Sequence, residues 1–306
     1  MPQFVLPVDC QIGKSCVVQN YVAHDAGPAA RDYQCGTLTY KGHNGTDFRL
    51  VTTAMQRTGI DVLAAAAGQV LRARDGMADI SFREPGAPTV DNRECGNGLL
   101  IAHGDGWETQ YCHMAQGSLR VKIGDRVAAG QPIGRVGLSG RTEFPHLHLT
   151  VRHQGKMVDP FAFDAPKNSC GGGTSLWSAA IRDALGYRAR SVLNTGFAAG
   201  AVTMQQIELG TAAATALNPD SPALVAFVRA IGLKADDEQR LIVTAPTGEI
   251  VTSNAAQPLD RAKAQFMLFT GKRRPPAGWS KGTYRAHYAV THDGKIVLET
   301  SFAITM

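Results

Sequence analysis

From about residue 60 to 165 the chain consists of short apolar runs cut by glycine turns: "IDVLAAAAGQVLRAR", "GNGLLIAHGDGWETQYCHM", "GDRVAAGQPIGRVG" and "PHLHLTVRHQGKMVDPF". Short runs at regular spacing with Gly-Asp or Asp-Gly punctuation indicate antiparallel β structure. The Gly104-Asp105-Gly106 turn predicts a hairpin, with His113 just beyond its second strand. Residues 75–97 are polar and rich in turn formers, which predicts a long surface excursion between two strands, placed to rim a site.

The same grammar returns near the C-terminus. "ALVAFVRAIGL", "QRLIVTAPTGEIVTS", "AQFMLFTG" and "GTYRAHYAVTHDGKIVLETSFAI" read as alternating strands, with turns at Pro246-Thr247-Gly248 and Asp293-Gly294. Five to seven such strands predict a small immunoglobulin-like β-sandwich. Between the two blocks, Gly171-Gly172-Gly173 reads as a flexible junction that ends the first domain. The alanine-rich stretch 174–220 is ambiguous between helix and strand. The expected organisation is therefore a cysteine-containing segment over 1–35 packed on a first β domain over 36–166, a linker over 167–220, and the sandwich over 221–306.

The net charge is +5, but its basic residues are scattered, so nucleic acid is not the expected partner. No apolar run approaches the length of a membrane span. The opening "MPQFVLPVDC" lacks the charged-then-apolar pattern of a secretion signal, so the chain is expected to be cytosolic or supplied without its leader. Six cysteines, all within the first 170 residues and without a CxxC pair, favour disulfides and an oxidising compartment over a structural zinc site; six reduced buried thiols are the alternative. Proximity in sequence suggests Cys10 with Cys16 and Cys95 with Cys112, leaving Cys35 with Cys170.

In "EFPHLHLTV", His146 and His148 project from one face of a strand while Leu147 and Leu149 project from the other. Taken alone, the pair is either hydrogen-bonded structure or a metal site. "YKGHNGTDF" adds His43 and Asp47, whose flanking glycines argue for a loop entering a strand instead of a helix. Two imidazoles and a carboxylate are the donor composition of a catalytic zinc site, whose fourth position is left for water. "TQYCHMA" supplies His113 to work beside the metal.

In this order, "GHNGTDF", "YCHM" and "PHLHLTV" resemble the motifs of the lysostaphin/LytM-type zinc metalloendopeptidases, which cut peptide bonds in bacterial peptidoglycan. "VKIGDRVAAGQPIGRVG" and "GKMVDPFAF" are similar to the flanking segments, so the resemblance covers roughly residues 36 to 163. It implies an all-β, antiparallel catalytic sheet of the duplicated hybrid motif type. It also implies His43, Asp47 and His148 as ligands of one Zn2+ per chain, with His113 and His146 as the catalytic pair on the water and the oxyanion. The implied substrate is a peptidoglycan peptide crosslink, and the implied location periplasmic or secreted. In some relatives an N-terminal segment covers the zinc, a part open here to Asn20 or His24. "SGRTEFPHLHLT" departs from the usual "STGPHLHFE", making the wall before His146 bulkier and more charged.

Two other classes compete. A catalytically silent wall-binding or regulatory member usually lacks ligands, whereas all five positions are filled here. A biotinyl or lipoyl carrier would share "GDRVAAGQPIGRVG" but needs a lysine at a hairpin tip and has no use for His43, Asp47 and His148. His103, His153, His287 and His292 are read as packing or surface histidines, and Trp177, Trp279 and the basic loop Lys272 to Pro276 as structure more than ligand contacts.

Overall fold

The computed structural model describes residues 1–306 except 26, 28, 29, 88, 167, 168 and 215. Two compact units result, Met1–Tyr187 and Arg188–Met306. The first contains β1 (Cys16–Asn20), β2 (Thr46–Leu50), α1 (Thr53–Thr58), β3 (Asp61–Leu63), β4 (Gly68–Arg74), β5 (Asn97–Ala102), β6 (Trp107–Met114), β7 (Arg126–Val127), β8 (Pro132–Arg135), β9 (His146–His153), β10 (Lys156–Val158) and α2 (Ala179–Arg182).

Its main sheet runs β1-β2-β9-β6-β5-β4-β7, with β10 also on β9, while β3 and β8 pair separately. Alternation divides the central strands into two faces. Phe48, Leu50, Tyr111, Leu147, Leu149 and Val151 enter one apolar core and are all at most 1% exposed. The other face receives Asp47, Cys112, His146, His148 and Thr150. As expected, β5 and β6 form a hairpin, and the excursion lies between β4 and β5, over 75–96, with Asn97 already in β5.

Disulfides join Cys10 to Cys16 and Cys95 to Cys112, the pairs suggested by proximity, and Cys35 to Cys170, the remaining pair. The glycine run, however, does not end the first unit. Gly171, Gly172 and Gly173 all have positive φ and form a turn, after which Thr174 and Phe163 exchange backbone hydrogen bonds of 2.7 and 2.9 Å. Leu176 and Trp177 are then fully buried beside Phe4. Their apolar surface holds the chain on the first core, so this unit extends to Tyr187.

The second unit contains β11 (Ser191–Ala198), α3 (Met204–Leu209), β12 (Ala223–Leu233), β13 (Glu238–Thr244), β14 (Ile250–Ala255), β15 (Lys263–Arg273), β16 (Thr283–His292) and β17 (Lys295–Thr305). Sheet β11-β12-β15 and sheet β14-β13-β16-β17 enclose one core that includes Leu224, Val228, Leu241, Val243 and Tyr288, giving a seven-stranded sandwich. The ambiguous stretch thus supplies β11 and α3 to this unit. A Thr203/Gln206 capping box starts α3 and Gly210, at φ 80, stops it. Ile207 packs with Val225 and Phe227, covering the outer face of β12.

Candidate functional site

His43 precedes β2 and Asp47 lies within it; His146 and His148 begin β9; His113 is near the end of β6. The loop-into-strand expectation for the first pair holds, whereas His113 lies inside the strand and not beyond it. Pairing continues to Asn97 opposite Met114, after a register shift that leaves His113 in a bulge at φ 62. A left-handed backbone is unusual for a non-glycine residue, and here it aims the imidazole at the sheet face that carries His146. The two rings lie 4.7 Å apart.

His43, Asp47 and His148 converge. His43 Nε2 lies 3.1 Å from Asp47 Oδ2 and 3.2 Å from His148 Nδ1, and His148 Nδ1 lies 2.8 Å from Asp47 Oδ1. Ligands about 2.0–2.1 Å from a tetrahedral zinc stand about 3.3 Å from one another. The residues therefore fit such an ion in spacing and donor type, as a group of three buried side chains able to hold a metal.

Proton placement makes the fit stricter. His43 Nδ1 donates to the Tyr21 carbonyl at 2.7 Å, and a carbonyl only accepts, so the neutral ring points the Nε2 lone pair into the cluster. On His148, Nε2 faces Asn44 Oδ1 at 2.9 Å and Thr150 Oγ1 at 3.1 Å, which leaves Nδ1 as the inward acceptor. Three electron-rich atoms thus meet in a buried space, an arrangement that calls for a cation or a shared proton. Gly45 permits the approach, since a Cβ there would stand 2.6 Å from His148 Nε2.

The flanking pair is held as His43 is, through Nδ1, and unlike His148. His113 Nδ1 donates to the Ser139 carbonyl at 2.8 Å, and His146 Nδ1 faces the Phe144 carbonyl and Thr142 Oγ1, each at 3.0 Å. His146 Nε2 lies 3.4 Å from Asp47 Oδ1. Buried Arg49 stacks 3.9 Å over the Phe144 ring and donates to Gln19 Oε1 at 2.6 Å, which steadies the turn that orients His146. The bulkier "RTEFPH" wall thus supports one of the candidate catalytic rings.

Burial, reinforced by the imidazoles of His146 and His148, pushes the His113 pKa well below the ordinary histidine value. Burial also dominates at His148 and lowers it, although Asp47 pulls upward. At His43 burial again opposes protonation, but Asp47 and the Tyr21 carbonyl together outweigh it and raise the pKa. Asp47 loses solvent by burial, yet the facing imidazoles hold its carboxyl well below the usual range.

The excursion over 75–97 does reach the site. Glu94 and Cys95 line the cleft with His43, His113 and His148, and the Cys95–Cys112 disulfide ties that rim to the residue before His113. Asn20 on β1 donates from Nδ2 to Asp47 Oδ2 at 2.9 Å, while His24 is paired with Asp159 at 2.8 Å instead of joining the cluster. His103 bridges the Ala67 carbonyl and Thr109, and His153 stacks on Trp107. Trp177 and Trp279 are core residues of the first and second units. The Tyr21, Ser139 and Phe144 carbonyls leave no side-chain signal, so sequence reasoning could not find them.

Three convergent donors with two further imidazoles beside them, on the open face of an antiparallel sheet, define a protein with a candidate metal centre. The family is more specific: residues 41–160 match the model of peptidase family M23 and form a domain of that family. "Cell division protein DipM" of Caulobacter vibrioides is 32% identical over 121 residues, covering 38% of this chain and 18% of that protein. "DD-carboxypeptidase/endopeptidase Mpg" of Neisseria meningitidis is 34% identical over 114 residues, covering 36% of this chain and 23% of that protein. The match therefore spans less than a quarter of either relative. Among solved structures, a zinc-containing peptidase from Vibrio cholerae shares 26% identity over 49% of this chain and 41% of that one, at a TM-score of 0.31.

Proposed function

We propose that the first unit is a zinc-dependent endopeptidase that hydrolyses peptide crosslinks of bacterial peptidoglycan, acting in the periplasm or outside the cell. The observation that carries this reading is the convergence of His43 Nε2, Asp47 and His148 Nδ1 with His113 and His146 beside them. Support also comes from the M23 match and from the relatives named as endopeptidases. In this reading His43, Asp47 and His148 hold one Zn2+ per chain. A bound zinc ion supplies Lewis acidity and brings the pKa of water toward ~7.

The chain's own residues do the rest. His113 is kept neutral by burial, and its Nδ1 is engaged by Ser139, so its Nε2 is available to accept a proton from the attacking water. His146, oriented by Phe144 and Thr142, shares that task, and the proton its Nε2 accepts is then donated in a hydrogen bond to the developing oxyanion. Asp47 would stay ionised in this reading, because a cation held beside it favours its charge.

The test is direct. Purified chain should contain about one zinc per chain by elemental analysis and release soluble fragments from peptidoglycan, and chelator should stop the release until zinc is restored. Metal-loaded, folded protein that leaves every peptidoglycan intact would overturn the enzyme reading in favour of a silent, wall-binding member.

A further inference from the structure

The donor cluster occupies only one end of a longer depression in the sheet. The cleft around His113 and His148 shares Cys95, Gln110 and Arg152 with a second hollow lined by Arg72, Arg74 and Leu100, so the two form one trough. Sheet register accounts for its course. Thr150, Gln110, Leu100 and Arg72 are successive cross-strand partners over β9, β6, β5 and β4, a row about 14 Å wide at ~4.8 Å per strand. Arg152 stands four residues beyond His148 on β9, or roughly 13 Å of extended backbone.

The far end is basic. Three guanidinium groups, of Arg72, Arg74 and Arg152, face the single carboxylate of Glu108. Arg74 Nε donates to the Gly96 carbonyl at 2.6 Å and is thereby held in place. Neither Arg72 nor Arg152 has a side-chain hydrogen bond or ion pair among the described residues, although Glu108 is the cross-strand partner of Arg152. Two uncommitted forks on opposite banks of a trough, with Gln110 and Thr150 between them for amide groups, are suited to an extended peptide that carries negative charge.

We propose that this basic end is a subsite for a free carboxylate on an extended peptide bound across the sheet, read chiefly by Arg152 with Arg72 opposite. The proposal rests on the endopeptidase reading and names a substrate feature for it: a free carboxylate roughly four residues from the hydrolysed bond. An amidated carboxyl has the same shape but no charge, so it should be the poorer ligand.

The experiment uses the whole chain and a fluorescein-labelled crosslinked stem-peptide dimer in two forms, one with free carboxylates and one with carboxamides. Fluorescence anisotropy on the His113→Asn protein reads binding, and chromatography with the wild type reads cleavage. The carboxylate form should bind roughly tenfold more tightly, as expected for one charge-assisted bidentate contact. Arg152→Gln should abolish most of that preference and Arg72→Gln part of it, the carboxylate form losing more affinity than the carboxamide form in each. Equal binding of the two forms by the starting protein, or an undiminished preference in both arginine variants, would overturn the subsite. Cleavage without carboxylate preference sinks the subsite alone; preference without cleavage sinks the endopeptidase reading alone.

Discussion

The two units are both antiparallel β structures with well-filled apolar cores, yet they treat buried polar groups in opposite ways. In the second, buried charge is matched: Asp237 accepts two hydrogen bonds from Arg190 at 2.6 and 2.7 Å and one from the Lys234 N–H at 2.8 Å, and Arg229 is paired with Glu208 and Asn194. In the first, Asp47 is met by imidazole lone pairs, and the compensating positive charge is left for something that binds. Closed polar pairs hold a structure together, whereas an open, convergent set stores a capacity for a ligand.

The largest test of that contrast is catalytic. His113→Ala and His113→Asn should each lower peptidoglycan cleavage by roughly 10²–10⁴-fold. Only the alanine variant should lose measurable Tm, because asparagine tolerates the left-handed backbone at φ 62 and alanine does not. Cleavage retained by either variant would remove His113 from the chemistry.

Next in size is the matched pair of the second unit. Arg190→Ala leaves the fully buried Asp237 carboxylate without its main partner and should cost roughly 3–5 kcal/mol of that unit's stability. Denaturant unfolding would show it as a lower midpoint, with zinc content and cleavage unchanged. A drop below 1 kcal/mol would mean that the pairing is not the structural element the comparison assumes.

Third is the Cys95–Cys112 tie, which closes a 17-residue separation and fastens the site rim. Replacing both cysteines with serine should cost about 3 kcal/mol by loop entropy and should slow cleavage through the His113 bulge. An unchanged melting curve together with unchanged turnover would show that the rim holds itself.

The smallest effect concerns His24. Its hydrogen bond with Asp159 raises the pKa against the opposing effect of burial, so the folded state binds the proton more tightly than the unfolded chain. The resulting stabilisation, about 1 kcal/mol or less, is fully present below the unfolded value near 6.5 and is lost as pH rises through the raised folded value. The Tm gap between wild type and His24→Gln should therefore be widest near pH 5.5 and close in alkaline buffer. A gap that does not vary with pH would show that the pair contributes only packing.

Much of the site was legible because strand geometry translates spacing directly into direction. His146 and His148 had to share a face, and "GHNGTDF" had to bring an imidazole and a carboxylate together near a glycine-permitted close approach. The hairpin at Gly104-Asp105-Gly106 and the turn at Asp293-Gly294 were equally readable from local backbone preference. The reach of the first unit was not. Gly171-Gly172-Gly173 looks the same whether it is a junction or a turn, and the burial of Leu176 and Trp177 decides between them. Helix α3 had a readable signal, the Thr203/Gln206 box, masked by the alanines and threonines around it.

By itself the sequence determined the antiparallel β class, the two-part organisation and the residues capable of the chemistry, since alternation, turn residues and donor identity are local properties. Only the tertiary structure decided which lone pair of each imidazole faces inward. For His43, His113 and His146 that choice belongs to the carbonyls of Tyr21, Ser139 and Phe144, backbone atoms brought from distant positions in the chain or from an adjoining turn, and for His148 to the side chains of Asn44 and Thr150. It likewise decided that Arg72 and Arg152 bank one trough, because cross-strand register sets strands β4 and β9 three steps apart on one face.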